Sequence, residues 1–221
     1  MMKENRLRLL LHLCLFFVTI SAQAAPHDTL FVADYGVHPN TYEDQTARLQ
    51  TLIADCKRWK SKAIVFQSGR YDLWPTDATR REYYISNTSS ETECPSKVKT
   101  IGLLFEDMSG LTIEGNDATL MFHGKMTMLS FDHCKEMRLQ NIHFDFERPG
   151  GSELTYLKVD EHGVTVRVHS DSKYAIVEER LTWVGEGWRT SKPHCIEYNP
   201  TNKHFYYSHG WDILSLAKAV E

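Results

Sequence analysis

The sequence predicts an all-β protein whose first half forms a parallel β-helix, closed at one end by a single α-helix. Two observations favour this fold class. From residue 100 to residue 146, short apolar segments follow one another closely, separated by Gly, Asn and Asp. Residues 109–113 and 135–139 look like one corner repeated a coil apart, within the roughly 20–50-residue period of repeat architectures. An antiparallel sandwich also has short strands and frequent turns, so these patterns alone leave that alternative open.

The N-terminus has the three parts of a secretory signal. A positively charged start is followed by the apolar run of residues 9–20 and then by the small residues Ala22 and Ala24. The apolar run is too short to cross a bilayer comfortably. We therefore expect residues 1–24 to be removed and the mature chain to be exported, periplasmic or extracellular, without a membrane span.

The clearest helix is predicted at residues 46–59, with Asp44 or Thr46 as its N-cap. Apolar side chains recur at helical spacing on one face, and charged side chains take the other. The apolar positions are Leu49, Leu52, Ile53 and Cys56. Because a strand follows directly, this face is expected to cover the open end of the β-helix.

Short strands are predicted on both sides of the helix and throughout the repeated region. Residues 80–99 are polar and rich in turn formers, which indicates a surface excursion. Residues 157–168 alternate as a hairpin does. The aromatic residues of the last forty positions, including Trp188 in the turn at residues 185–188, are interpreted first as the core of a small β-module and alternatively as a sugar-contacting surface with an exposed Trp188 ring. The other predicted strands are residues 30–32, 63–66, 103–105, 111–113, 119–122, 128–131 and 138–146.

Composition and motifs exclude several classes of function. The formal net charge is −4, so no basic excess is present to hold a nucleic acid. Serine-hydrolase elbows, nucleotide-binding glycine loops and zinc-ligand spacings are missing from the sequence, so we expect no cofactor and no metal. Four cysteines follow the predicted signal: Cys56, Cys94, Cys134 and Cys195. They allow two disulfides, but such sparse cysteines are more typical of buried thiols.

Two sets of motifs resemble known families. Residues 34–36 (DYG), 44–50 (DQTARLQ) and 64–71 (IVFQSGRY) resemble the opening of pectate-lyase-like right-handed β-helix proteins, in which a helix plugs the N-terminal end. A second set of motifs resembles glycoside hydrolase family 110 more closely. These motifs are residues 103–107 (LLFED), 111–116 (LTIEGN), 120–124 (LMFHG) and 144–149 (FDFERP). Members of that family are exported bacterial exo-α-1,3-galactosidases that act on blood-group-B-type and linear α-galactosyl ends.

This resemblance implies a right-handed β-helix interrupted by small β-barrel modules. We therefore expect residues 25–150 to form the helical cap and first coils, and residues 151–221 to begin an inserted antiparallel β-module. Family members are much longer, so the sequence is interpreted as the N-terminal part of such an enzyme. The family's catalytic carboxylates are expected beyond its end. The implied partner is a glycan with terminal α-galactose, cleaved by inversion.

One predicted strand carries the candidate substrate-binding residues. Alternation over residues 138–146 turns Phe144 and Phe146 inward and His143, Asp145 and Glu147 outward. Carboxylates two residues apart on a strand lie about 6.5–7 Å apart at Cα, which is compatible with the carboxyl pair of an inverting glycosidase. The plain interpretation is a solvated strand face.

If the strand face is simply solvated, Arg148 partly balances the negative charges of Asp145 and Glu147. The functional interpretations are a sugar-binding role for His143, Asp145, Glu147 and Arg148, or catalysis by the carboxylates themselves.

Two alternatives to a galactosidase stay open. The first is a non-catalytic β-helix fragment that binds carbohydrate. The second is an enzyme of the polygalacturonase or pectate-lyase type, which would need a basic cleft for an acidic polysaccharide. The net charge of −4 counts against the second alternative. The oligomeric state is not indicated by the sequence.

Overall fold

The structure, a computed structural model, describes residues 27–83, 96–191 and 195–208. The predicted signal sequence and Cys94 lie outside these residues. A short 3₁₀ helix, Val32–Tyr35, precedes the helix α1, Thr46–Trp59. The strands of the first part are β1 (Thr29–Phe31), β2 (Ala63–Val65), β3 (Gly69–Leu73), β4 (Thr79–Glu82), β5 (Val98–Glu106), β6 (Thr112–Phe122), β7 (Thr127–Asp132) and β8 (Arg138–Phe146).

The second part consists of shorter antiparallel elements. Its strands are β9 (Leu154–Asp160), β10 (Gly163–Val168), β11 (Tyr174–Val177), β12 (Arg180–Gly185), β13 (Trp188–Thr190), β14 (Cys195–Asn199) and β15 (His204–Ser208). Strands β9 and β10 form the predicted hairpin, which begins three residues earlier than expected. Strands β11, β12 and β13 form a three-stranded sheet, and β14 pairs with β15. Over the described residues, the prediction of an all-β protein with one α-helix is confirmed.

Parallel pairing dominates the first part. Strand β6 pairs in parallel with β2 through its first half, with β3 through its second half and with β8 along its other edge. Strand β1 pairs in parallel with β2. In the second sheet, β5 and β7 are parallel, whereas β4 runs antiparallel to β5. The sheets are therefore small, and one of them is mixed.

The repeated corner has the same geometry in successive layers. Ser109 and Lys135 form a parallel bridge, and Asp107 and His133 both adopt positive φ, at 52° and 51°. Strands β5 and β6 thus form one layer, and β7 and β8 form the next layer beside it. Within the region predicted as a surface excursion, Thr79–Glu82 pairs antiparallel with the start of β5 and is mostly exposed. Residues 84–95 of that region lie outside the described residues.

Helix α1 packs its apolar face into the interior between the strands, as predicted. The buried positions include Leu49, Leu52, Ile53 and Cys56, and all four belong to the main core cluster. The residue at the N-cap is Gln45, which corrects the expected cap by one position. Asp44 still contributes, because its carboxylate accepts the backbone N–H of Thr46 at 2.9 Å.

The cysteines of the described residues carry thiols rather than disulfides: Cys56, Cys134 and Cys195. Burial raises the pKa of the Cys56 thiol to about 11, so this cysteine behaves as a small apolar side chain. In the described part of the chain, no helix has both the length and the apolar character that a membrane crossing requires.

Candidate functional site

The candidate site lies on the outer face of the parallel sheet formed by β3, β6 and β8. Their register places Arg70 beside Thr119 and His143 in one row. In the next row, Asp72 lies beside Met121 and Asp145. Since side chains alternate across a sheet, the residues between these rows point into the core. The inward positions are Tyr71, Leu120 and Phe144, followed by Leu73, Phe122 and Phe146.

Asp72 is the buried carboxylate of this face, with 1% of its surface exposed. The guanidinium of Arg70 donates to its carboxylate through Nε at 2.9 Å and through a second nitrogen at 2.5 Å. The ring of His123 contacts the same carboxylate at 2.9 Å through Nε2. Burial opposes ionisation of Asp72, but the hydrogen bonds from Arg70 and His123 outweigh it and hold the pKa of Asp72 below its ordinary value.

Arg70 connects this buried carboxylate to the surface. Its second partner is Glu147, at 2.7 Å between a terminal guanidinium nitrogen and Oε2. The ring of Tyr42 lies over the guanidinium at 5.1 Å. The hydrogen bond to Asp72, followed by that to Glu147, raises the pKa of Arg70 above its already high value. Arg70 is therefore a fixed cation whose outer side meets solvent.

His123 follows β6 directly and is buried. The Trp74 ring stacks on the imidazole with a centroid separation of 3.7 Å and an interplanar angle of 8°. Trp74 is itself held by α1, because its backbone N–H donates to the Thr46 hydroxyl at 3.0 Å. The start of the helix thus fixes the position of the imidazole.

The second part of the chain closes the network through Glu186, which lies in the turn between β12 and β13. Glu186 Oε1 contacts Nδ1 of His123 at 2.9 Å, and Oε2 accepts the backbone N–H of Gly124 at 3.0 Å. Gly124 has a φ of +65°, and a Cβ there would lie 2.9 Å from the Pro75 side chain. A glycine is therefore required where the turn meets the sheet.

The four candidate substrate-binding residues are all exposed, and one of them joins this network. Glu147 pairs with Arg70, so the charge balance that the sequence assigned to Arg148 comes from Arg70 in the structure. Asp145 turns one oxygen back to the N–H of Phe146 at 2.8 Å. His143 shares a row with Arg70. The predicted alternation of β8 is confirmed, with Phe144 and Phe146 half-buried and packed against the core.

Sequence reasoning missed four residues of the network: Arg70, Asp72, His123 and Glu186. Arg70 lies in the motif IVFQSGRY and Asp72 follows that motif, so their spacing of two on a strand was the available signal, and His123 lies in the motif LMFHG. The contact of His123 with Glu186 spans 63 residues and has no local signature. For Trp188, the structure favours the core role over the exposed ring. Trp188 is half-buried against the Leu181 and Trp183 cluster, and the turn docks through Glu186.

The chemistry of this site is that of a hydrogen-bonding surface. It offers a fixed cation, an ion-paired carboxylate and an aromatic ring, which are the groups that recognise sugar hydroxyls and ring faces. Within residues 27–83, 96–191 and 195–208, no group of three or more His, Cys, Asp or Glu side chains is placed to hold a metal ion.

Comparison with known proteins finds similar sequences for both parts of the chain. The family described as GLAA-B beta-barrel domain I matches residues 152–221. Two proteins named Alpha-1,3-galactosidase A, from Bacteroides fragilis strains YCH46 and ATCC 25285, are 50% and 49% identical over 206 residues. Each match covers 93% of this chain and 34% of the relative. Alpha-1,3-galactosidase B of Phocaeicola vulgatus is 32% identical over 205 residues, or 90% of this chain and 33% of the relative.

These matches place the chain among glycosidase sequences. The resemblance to glycoside hydrolase family 110 that its motifs suggested is confirmed by these matches. The chain spans about a third of the length of the curated relatives that it matches.

Proposed function

We propose that this chain is part of an exported enzyme that removes terminal α-1,3-linked galactose from glycans, blood-group-B-type and linear ends included, with inversion. The names of the relatives support the reaction. The signal pattern in residues 1–24 supports export. The alternative of a pectate-lyase-type enzyme is disfavoured by the net charge of −4, which does not suit an acidic polysaccharide.

The architecture that goes with this function is a right-handed parallel β-helix over residues 25–150, followed from residue 151 by an inserted β-barrel module. The parallel layers of β5 with β7 and of β6 with β8 support the solenoid. The antiparallel strands from β9 onward, together with the family match over residues 152–221, support the module. Such a solenoid presents one broad outer sheet face along its length.

The outer face around Arg70 is the proposed substrate-binding surface. The observation that carries this role is the fixing of Arg70 between buried Asp72 and exposed Glu147. A guanidinium held in place loses little side-chain entropy when it donates to a sugar hydroxyl, while an ionised carboxylate beside it accepts from another. His143 and Asp145 extend the same face, and the exposed Arg148 follows Glu147 directly in the chain.

The acid and base of the reaction are assigned to carboxylates outside this network. Inversion needs one carboxylic acid and one carboxylate about 6.5–9.5 Å apart, with room for a water molecule. Asp72 is buried behind Arg70, and Glu147 is engaged by the same guanidinium. These carboxylates are suited to orienting Arg70 and the sugar, and the catalytic pair belongs to other residues of the enzyme.

The proposal is tested by a graft into a relative of full length. The matching third of the Bacteroides fragilis galactosidase is replaced by residues of this chain, and galactose release from an α-1,3-galactoside is measured. We expect activity in the graft and a KM raised about 10- to 100-fold by Arg70→Gln, the cost of one charged hydrogen bond.

Arg81→Gln is the matched control, because Arg81 forms a similar ion pair with Glu106, at 2.6 Å, on the other sheet. Its KM is expected to stay near that of the unmodified graft. Equal effects of the two substitutions would contradict the binding role of Arg70. A graft that binds the galactoside without releasing galactose would favour a carbohydrate-binding fragment over an enzyme segment.

A further inference from the structure

The imidazole of His123 has a carboxylate at each nitrogen. Asp72 Oδ1 lies 2.9 Å from Nε2, and Glu186 Oε1 lies 2.9 Å from Nδ1. Ionised carboxylates only accept hydrogen bonds, and a neutral imidazole has a single N–H. A neutral ring would therefore direct a nitrogen lone pair at one of the two carboxylates, whereas the imidazolium ion donates to both.

The surroundings of the ring favour the cation. The face of Trp74 lies against it at 3.7 Å, which attracts a positive charge. The other charged groups of the network are Arg70, which contacts Asp72 from the opposite side, and Glu147 beyond it. With neutral His123, three carboxylates would share one cation. An imidazolium ion would supply a second cation, and His123 lies where water has little access.

The two carboxylates differ in how easily they can be released. Asp72 is almost fully buried and keeps two hydrogen bonds from Arg70. The Glu186 side chain is 32% exposed and lies in a surface turn. When the ring loses one proton, the remaining N–H is therefore retained for the buried partner, and Glu186 moves into water, where a free carboxylate is well solvated.

We infer that protonated His123 is a latch that docks the β12–β13 turn onto the parallel sheet, with Glu186 as its positioning residue. Loss of the Nδ1 proton opens the latch and frees the turn. The hydrogen bond of the Gly124 amide is lost at the same time, since that N–H donates to the second oxygen of Glu186. This inference concerns the docking of the two parts of the chain and does not depend on the proposed substrate.

The experiment uses the full 221-residue chain, labelled with ¹⁵N, across a pH series. The ring nitrogen shifts of His123 give its protonation state, and the exchange rate of the Gly124 amide hydrogen gives the state of the latch. At low pH we expect both ring nitrogens to be protonated and the Gly124 amide to be protected. As His123 loses a proton, the protection is expected to fall by about tenfold or more beyond the ordinary pH dependence of exchange.

The comparison variants are Glu186→Gln and Glu179→Gln. Glu179 is an exposed glutamate in the turn between β11 and β12 of the same small sheet, so its variant is expected to behave as the wild type. In Glu186→Gln, Gly124 protection is expected not to follow the titration of His123. Protected amides in β5 and β6 would show that each variant is folded.

Two results would overturn the inference. One is a ring with an unprotonated nitrogen at every pH at which Gly124 is protected. The other is Gly124 protection that follows the His123 titration equally in Glu186→Gln and the wild type.

Discussion

Asp72 shows how a buried charge is tolerated at the residue scale. A carboxylate removed from water is costly unless it is paired and hydrogen-bonded, and Arg70 and His123 together meet that requirement. The same contacts orient Arg70 toward the surface. The stability of the site and its proposed binding role thus depend on one side chain that never meets solvent.

The pH dependence of unfolding follows from Asp72. Its pKa is lower in the folded state than in the unfolded chain, where it is about 3.9. The stabilisation that ionised Asp72 contributes is therefore fully present when the pH is above its unfolded-state pKa. It is lost as the pH falls through its folded-state pKa. Asp72→Asn is expected to lower the free energy of unfolding by about 1–3 kcal/mol at neutral pH and to flatten its decline in acid.

Denaturant titrations at a series of pH values measure this effect. Asp107→Asn is the matched control, because Asp107 is exposed in a surface pair with Lys57 and its change is expected to stay within about 0.5 kcal/mol. A steep acid decline that persists in Asp72→Asn would show that another carboxylate is responsible.

Gly124 provides a second test at this scale. Both Gly124 and Gly110 have a positive φ, which strains an alanine at either position. In Gly124→Ala the added Cβ would also lie 2.9 Å from the Pro75 side chain, whereas in Gly110→Ala the nearest atom is the Lys62 amine, at 4.0 Å. Both substitutions carry the backbone strain of about 1–2 kcal/mol, but Gly124→Ala adds the overpacking, which costs about 1–3 kcal/mol more. Thermal or denaturant unfolding of the two variants measures the difference. Equal destabilisation would contradict the tight contact described for Gly124.

At the scale of elements, α1 shows what the sequence makes predictable. Its apolar positions recur at helical spacing, so both the bounds and the buried face were predicted correctly. The alternation of β8 likewise predicted which side chains point outward. The N-cap was displaced by one residue, because Asp44 can hydrogen-bond the helix start from outside the cap position. Local periodicity therefore determines this helix and its buried face, although it does not fix the capping residue.

Truncating α1 in the core measures its contribution. Leu52 is 1% exposed, so Leu52→Ala is expected to lower the free energy of unfolding by about 2–5 kcal/mol, through lost burial and the cavity that remains. Thr51→Ala, on the exposed side of the same turn, is the control and is expected to change it by about 0.5 kcal/mol or less. Similar effects of both would mean that the helix does not pack as described.

The candidate site was less predictable than the elements because its contacts are long-range. Glu147 was found from strand alternation, but its partner Arg70 lies 77 residues earlier in the chain. Around Glu186, the sequence contains two glycines and a tryptophan, which indicate a turn. They do not indicate which part of the chain this turn contacts. Such contacts depend on how layers stack, and strand register sets that stacking.

At the scale of the whole molecule, catalysis and binding are expected to separate. In the proposed function, residues 25–221 contribute the binding face, and the catalytic carboxylates are assigned to other residues of the enzyme. Purified residues 25–221 are therefore expected to release little or no galactose from an α-1,3-galactoside in a galactose-detection assay. Robust release that disappears in Asp145→Asn or Glu147→Gln would instead assign catalysis to that pair.

Binding of the sugar to the outer sheet face is tested most directly by NMR titration of the full chain with an α-1,3-linked galactose disaccharide. The account predicts shifts at the Arg70 Nε–H group and at the amides of His143, Asp145 and Glu147, weakened in Arg70→Gln and unchanged in Arg81→Gln. Shifts confined to other surfaces, such as the β14–β15 hairpin with exposed Tyr198 and Phe205, would contradict it.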